Sequence, residues 1–104
     1  MTYQALEQLV IIWAKNRKII GKATPGTQTL KASSEMGELC DAVIKGNITD
    51  IHMELGDVIV TLIILAEMYG ADISECLELA YDKISKRKGE SLANGVFVKS
   101  NSIF

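Results

Sequence analysis

The chain has 104 residues, enough for one domain with a modest core; 48% are apolar, while glycine numbers eight and proline one. That is ample core material with little of the punctuation that sheets and tight turns need, so helices are favoured. A net charge of −2, with no gathering of the 11 basic residues into a footprint for a phosphate backbone, argues against nucleic acid as a partner.

Cys40 and Cys76 lack C-x-x-C spacing and fall near apolar helical positions. They are expected as buried thiols in a reducing cytoplasm, without a disulfide. The opening MTYQALEQLV shows no basic start followed by an apolar run, so no signal peptide is expected. The longest apolar stretch, residues 58–66, contains Thr61 and is flanked by Asp57 and Glu67. At about half the length of a bilayer span, it predicts a soluble protein with no membrane partner.

In chain order, Leu6, Leu9, Val10 and Trp13 share one helical face, predicting a first helix from Tyr3 to Ile19 that Gly21 ends. GKATPGTQ reads as a loop that delivers Thr27 as the N-cap of a second helix, which runs to Lys45 and stops at Lys-Gly-Asn. A third helix starts between Asn47 and Asp50 and continues to Tyr69, with Gly70 just past its end. Asp72 followed by Glu75 resembles a capping box and opens a fourth helix to about Lys88. Four helices with short connections predict an all-α, antiparallel four-helix bundle in one domain, with residues 89–104 as a C-terminal arm. In that arm Gly95-Val96-Phe97-Val98-Lys99 is β-prone, and reads either as an extended segment or as a small strand.

The third helix is apolar nearly all round: Ile51, Leu55, Ile59, Leu62, Ile63 and Ala66 occupy one broad side, Val60 and Ile64 another. Such a helix is central, and the other three could scarcely enclose it alone, so a homodimer or homotetramer is expected.

Into this helix are set Glu54 and Asp57, three residues apart and thus on one side, with Thr61 continuing the stripe. The second helix repeats the device with Glu35 and Glu38, and places Gln28, Lys31 and Lys45 on or near the same line. One such pair is usually a solvated face; a second that interrupts an apolar helix is not so easily solvated. Four carboxylates converging on one point would repel, and a hard divalent cation relieves the conflict. All-oxygen ligands select Mg²⁺, Mn²⁺ or Ca²⁺ over zinc, and Mg²⁺ commonly recruits substrate phosphates.

Lys31-Ala-Ser-Ser-Glu35-Met-Gly-Glu38-Leu followed by Glu54-Leu-Gly-Asp57-Val resembles the K-x-x-E-E-x-G-E-L and E-L-G-D-V signatures of MazG-like all-α nucleotide pyrophosphohydrolases. Trp13 with Arg17 upstream, and Ala80-Tyr81-Asp82-Lys83 through Arg87-Lys88-Gly89 to Lys99 downstream, are similar to compact, stand-alone members of the kind encoded by phages and mobile elements. Ser34 departs from the first Glu of the family's E-E pair, and Asp82 stands where an Asn often precedes the Lys.

The resemblance implies Mg²⁺-dependent hydrolysis of a nucleoside or deoxynucleoside triphosphate to the monophosphate and pyrophosphate, with Mn²⁺ as a substitute. Glu35, Glu38, Glu54 and Asp57 are then the metal ligands, and Glu35 or Glu38 accepts a proton from the attacking water. Lys83 is assigned to catalysis, and Trp13, Gln28, Lys31, Asp82, Lys83 and Arg87 to the substrate. His52 lies about 160° from Glu54 around the helix and is left out, and Asp41 and Asp50 stand at the edges of the acidic stripes. The ferritin-like di-metal pattern needs Glu-x-x-His, which is absent here. The alternative is a non-catalytic oligomerisation or regulatory module, its acids holding structural Ca²⁺ or pairing with Lys31, Lys45 and Lys83.

Overall fold

The computed structural model describes residues 1–100. Its elements are α1 (Tyr3–Asn16), the short α2 (Ile19–Lys22), α3 (Pro25–Lys45), α4 (Ile48–Met68), α5 (Ile73–Ser85), β1 (Gly89–Ser91) and β2 (Phe97–Lys99). The four long helices expected from the sequence are present, and the chain is predominantly helical.

Several boundaries differ. The first helix ends at Asn16, not Ile19, because Lys18 takes a left-handed conformation at φ 61° that breaks the ladder. Gly21 is not the stop but lies inside α2. The next helix begins three residues earlier than expected, since Thr24 is the cap and Thr27 its partner. The Thr24 hydroxyl accepts from the Thr27 N–H at 3.1 Å, and the Thr24 N–H donates to Thr27 Oγ1 at 3.0 Å. Pro25 at the first helical position forfeits no hydrogen bond and has its φ already set.

The C-terminal stop of α3 is as expected: Gly46 adopts φ 74°, a conformation that a side chain would strain. Asn47 caps α4 at once, its Oδ1 accepting from the Asp50 N–H at 3.1 Å. Two long helices joined by so short a turn are brought side by side, and α3 packs along α4.

The chain divides into two compact units, Met1–Ile73 and the residues from Ser74 onward. In the first, α4 is the central element, touching both α3 and α1. Ile11, Ala14, Leu39, Ala42, Ile63, Ile64 and Ala66 form its core. Gln28 ties α3 to α4, its Nε2 donating to the Thr61 carbonyl at 3.1 Å. Glu7, 3% exposed, accepts from the Tyr3 hydroxyl at 2.7 Å and from the Ile73 N–H at 3.3 Å, which answers for burying its charge.

The second unit holds most of α5 and an antiparallel hairpin in which Gly89 pairs with Lys99, Glu90 with Val98 and Ser91 with Phe97. The β-prone run is thus a small strand. The helix stops at Ser85 and not Lys88, because the chain must straighten to enter β1 at Gly89, where any Cβ would strike the Val98 carbonyl. The last four residues of the arm, 101–104, lie outside the described residues.

Cys40 and Cys76 are free, as expected, but exposed rather than buried. Cys40 directly follows the buried Leu39, and one step around a helix is about 100°, enough to leave the core face. No described helix is long and apolar enough to cross a membrane.

Candidate functional site

Two of the four sequence-predicted acids come from α3 and two from α4. Within each helix the three-residue spacing puts both acids on one side, and the packing of α3 along α4 turns those sides together. Carboxylate oxygens of Glu35, Glu38 and Glu54 all lie within 4.8 Å of one another. Glu35 is buried, Glu54 partly so, and Glu38 faces solvent, so the cluster has a closed floor and an open rim.

Lys31, one turn before Glu35, donates to its Oε1 at 3.0 Å. Glu35 Oε2 and Glu54 Oε2 are sealed from solvent with no hydrogen-bond donor among the described residues. The Lys31 ammonium holds the Glu35 carboxyl below the usual glutamate range. Glu38 is pushed the other way, because it can share a proton with Glu35 and because the charges of Glu35 and Glu54 disfavour its ionised form. A proton is thus more easily kept on Glu38 than on Glu35.

Asp57 stands one turn beyond Glu54, on the wall of an adjoining cavity of about 420 Å³. Its lining is apolar from Trp13, Ile19, Val60 and Ile64, and polar from Gln28, Lys31, Glu35, Asp57 and Thr61. Trp13, Gln28 and Lys31, singled out in the sequence, are therefore brought to one cavity beside the acids. A smaller hollow of about 200 Å³ is lined by Glu38, Asp41, Ala42, Lys45, Asp50 and Glu54, so the acids at the stripe edges border the cluster without entering it.

The remaining sequence candidates belong to the second unit. Lys83 and Arg87 line a basic cavity of about 360 Å³ with Lys86, Lys88 and Lys99, while Asp82 is taken up by an ion pair with Lys86 at 3.1 Å. His52 is exposed on α4. Sequence reasoning missed Ile19, because the periodicity that marked α1 runs through the break at Lys18 and hides the turn that swings Ile19 to the cavity.

The family model for the MazG nucleotide pyrophosphohydrolase domain matches residues 23–91. The chain belongs to that family. The match to this MazG domain takes in both acidic pairs, the Thr24 cap and β1. A curated relative, the uncharacterized 18.2 kDa protein in the rep-hol intergenic region of Haemophilus phage HP1, is 37% identical over 60 residues. That alignment covers 58% of this MazG chain but only 37% of the phage protein's length. Among solved structures, the MazG-like pyrophosphohydrolase of cyanophage S-2L, bound to dGDP and three catalytic Mn²⁺ ions per active site, superposes with a TM-score of 0.71. The superposition covers 95% of this chain and 97% of that one at 22% identity, which shows the shared all-α fold.

Proposed function

We propose that this MazG-family chain hydrolyses a nucleoside or deoxynucleoside triphosphate to the monophosphate and pyrophosphate, using Mg²⁺ or, as a substitute, Mn²⁺. One observation carries the reading. Two buried carboxylate oxygens, one from each helix, have no donor among the described residues, and they sit in a cluster of three acids within 4.8 Å. Like charges so arranged are costly without a counter-charge, and an all-oxygen donor set suits a hard divalent ion. Glu35, Glu38 and Glu54 would hold it, with Asp57 on the adjoining wall as the fourth ligand. When bound, such an ion supplies charge neutralisation at the phosphates and lowers the pKa of a water.

The chain's own side chains do the rest. Glu35 or Glu38 takes the proton of the attacking water. Lys31 offers a cationic donor to the phosphates, and the resemblance adds Lys83 for the reaction itself and Asp82 and Arg87 for the substrate. Trp13 and the apolar wall of the cavity take the base. The dGDP and Mn²⁺ held by the cyanophage protein support a nucleotide and a divalent ion. The free thiols of Cys40 and Cys76 support a reducing, cytoplasmic setting, and the uncovered apolar face of α4 supports a homodimer or homotetramer.

A panel of NTPs and dNTPs with Mg²⁺, assayed for pyrophosphate, tests the reading. Release with at least one nucleotide, abolished by EDTA, is the expected result. No release with any of them, together with stability unchanged by EDTA, would return the chain to the non-catalytic module. With its stability indifferent to EDTA, that module would hold no structural Ca²⁺ and would need its acids satisfied by lysines; the Lys31–Glu35 pair is one such contact, but it leaves Glu35 Oε2 and Glu54 Oε2 unanswered.

A further inference from the structure

We infer that Gln28 makes the cavity beside the acids selective for nucleobases bearing an exocyclic amino group (adenine, cytosine and guanine) over uracil and thymine; the inference rests on the nucleotide substrate proposed above. Gln28 is 4% exposed and lies in the wall of the 420 Å³ cavity, next to the apolar surface of Trp13, Ile19, Val60 and Ile64. A pocket with one large aromatic, an aliphatic wall and a single buried amide is the composition that fixes a flat heterocycle by stacking and reads it by hydrogen bonding.

The orientation of that amide is not free. Its Nε2 donates to the Thr61 carbonyl, an atom that can only accept, so the nitrogen must face α4. The oxygen Oε1 takes no hydrogen bond among the described residues. What the cavity offers a base from Gln28 is therefore an acceptor. An amino group on adenine, cytosine or guanine presents N–H donors to it. Uracil and thymine offer one ring N–H between two carbonyl oxygens, and an acceptor approaching that N–H is met by both. Sites built around a hydrogen bond discriminate chiefly by leaving a buried group unpaired when the wrong ligand enters.

Trp13 is the only tryptophan in the sequence, so its fluorescence reports on this cavity without ambiguity. Nucleoside monophosphates titrated in magnesium buffer test binding without requiring turnover. AMP, CMP and GMP are expected to quench with dissociation constants roughly three- to tenfold below those of UMP and TMP, the worth of one neutral hydrogen bond. The sharper comparison is AMP with purine riboside monophosphate, which differ only in the amino group and should differ by the same factor. In Gln28→Met the difference should collapse to about one. Should that variant fail to fold, since Gln28 also joins α3 to α4, the wild-type comparison of the two purines decides alone. Equal binding of the two overturns the inference and leaves the nucleotide reading standing, whereas no quenching by any nucleotide overturns the inference and removes the cavity from the proposed function.

Discussion

Glu38→Gln keeps the length of the side chain while removing its charge and its capacity to accept a proton, so it separates the chemistry of the cluster from its packing. Turnover is expected to fall by roughly 10²–10⁴-fold, the range for losing a group that manages a proton. The far-UV circular dichroism should be unchanged, since Glu38 faces solvent and takes no part in the core. Retained hydrolysis would refute its assignment. A second titratable group acts on stability alone. Burial, and next the hydrogen bond to Glu7, push the Tyr3 phenol up from 10.0 to about 12. A folded value above the unfolded one means that the bond's contribution is complete below pH 10 and is lost as pH rises towards 12. Because Tyr3 is 37% exposed, solvent screening reduces that contribution to about 1 kcal/mol. Urea unfolding should therefore show Tyr3→Phe weaker than wild type by that amount at pH 7, with the gap closing above pH 10. A gap that stays constant to pH 12 would detach the phenol from Glu7.

At the scale of elements, the start of α3 rests on a reciprocal pair of threonines. Thr24→Ala removes the oxygen that accepts from the Thr27 N–H, and should cost about 1 kcal/mol in urea unfolding with the m-value unchanged. Thr27→Ala should cost a similar amount, and the double variant less than the sum, because both act on one box. Additive losses would show the two threonines working independently. This box also marks where the sequence could be read and where it could not. Gly46 and Asn47 are unambiguous local signals, a left-handed stop followed by an amide cap, and the turn between α3 and α4 falls where they place it. Thr24 and Thr27 are both good caps, and only the fixed φ of the intervening Pro25 favours the earlier one. Lys18 breaks α1 from a residue type with no preference for a left-handed conformation, so nothing in its own chemistry announces it. The hairpin depends on residues 89–91 finding residues 97–99, a pairing that period-two hydrophobicity over three residues cannot specify. For the site, three-residue spacing put each pair of acids on one side of its helix, but the packing of α3 along α4, which spacing does not specify, gathers Glu35, Glu38 and Glu54 and leaves Asp57 outside that group. The cavity beside them needed the break at Lys18, and was legible only in part through Trp13, Gln28 and Lys31.

The largest consequence for the whole molecule comes from the side of α4 away from the acids. At about 100° per residue, Leu55, Ile59 and Leu62 form a stripe roughly opposite the one that carries Asp57, Thr61 and Ile64. The stripe facing the acids is satisfied by α3 and the cavity, whereas Leu55, Ile59 and Leu62 remain 47%, 45% and 37% exposed in the single chain. Leu9 and Ile12 on α1 are uncovered to a similar degree. Exposed apolar side chains in such numbers along a central helix support the homodimer or homotetramer proposed above. Sedimentation at micromolar concentration is expected to give two or four times the 11.4 kDa chain mass, and the monomer mass would refute the assembly. Ile59→Glu distinguishes an interface on this stripe from one elsewhere. In the single chain the new carboxylate can reach water, so the helices should persist; against a partner it would be a buried charge, whose cost of several kcal/mol is enough to dissociate a small interface. A shift to the monomer mass with retained helicity locates the interface on α4, and an unchanged mass moves it off this stripe.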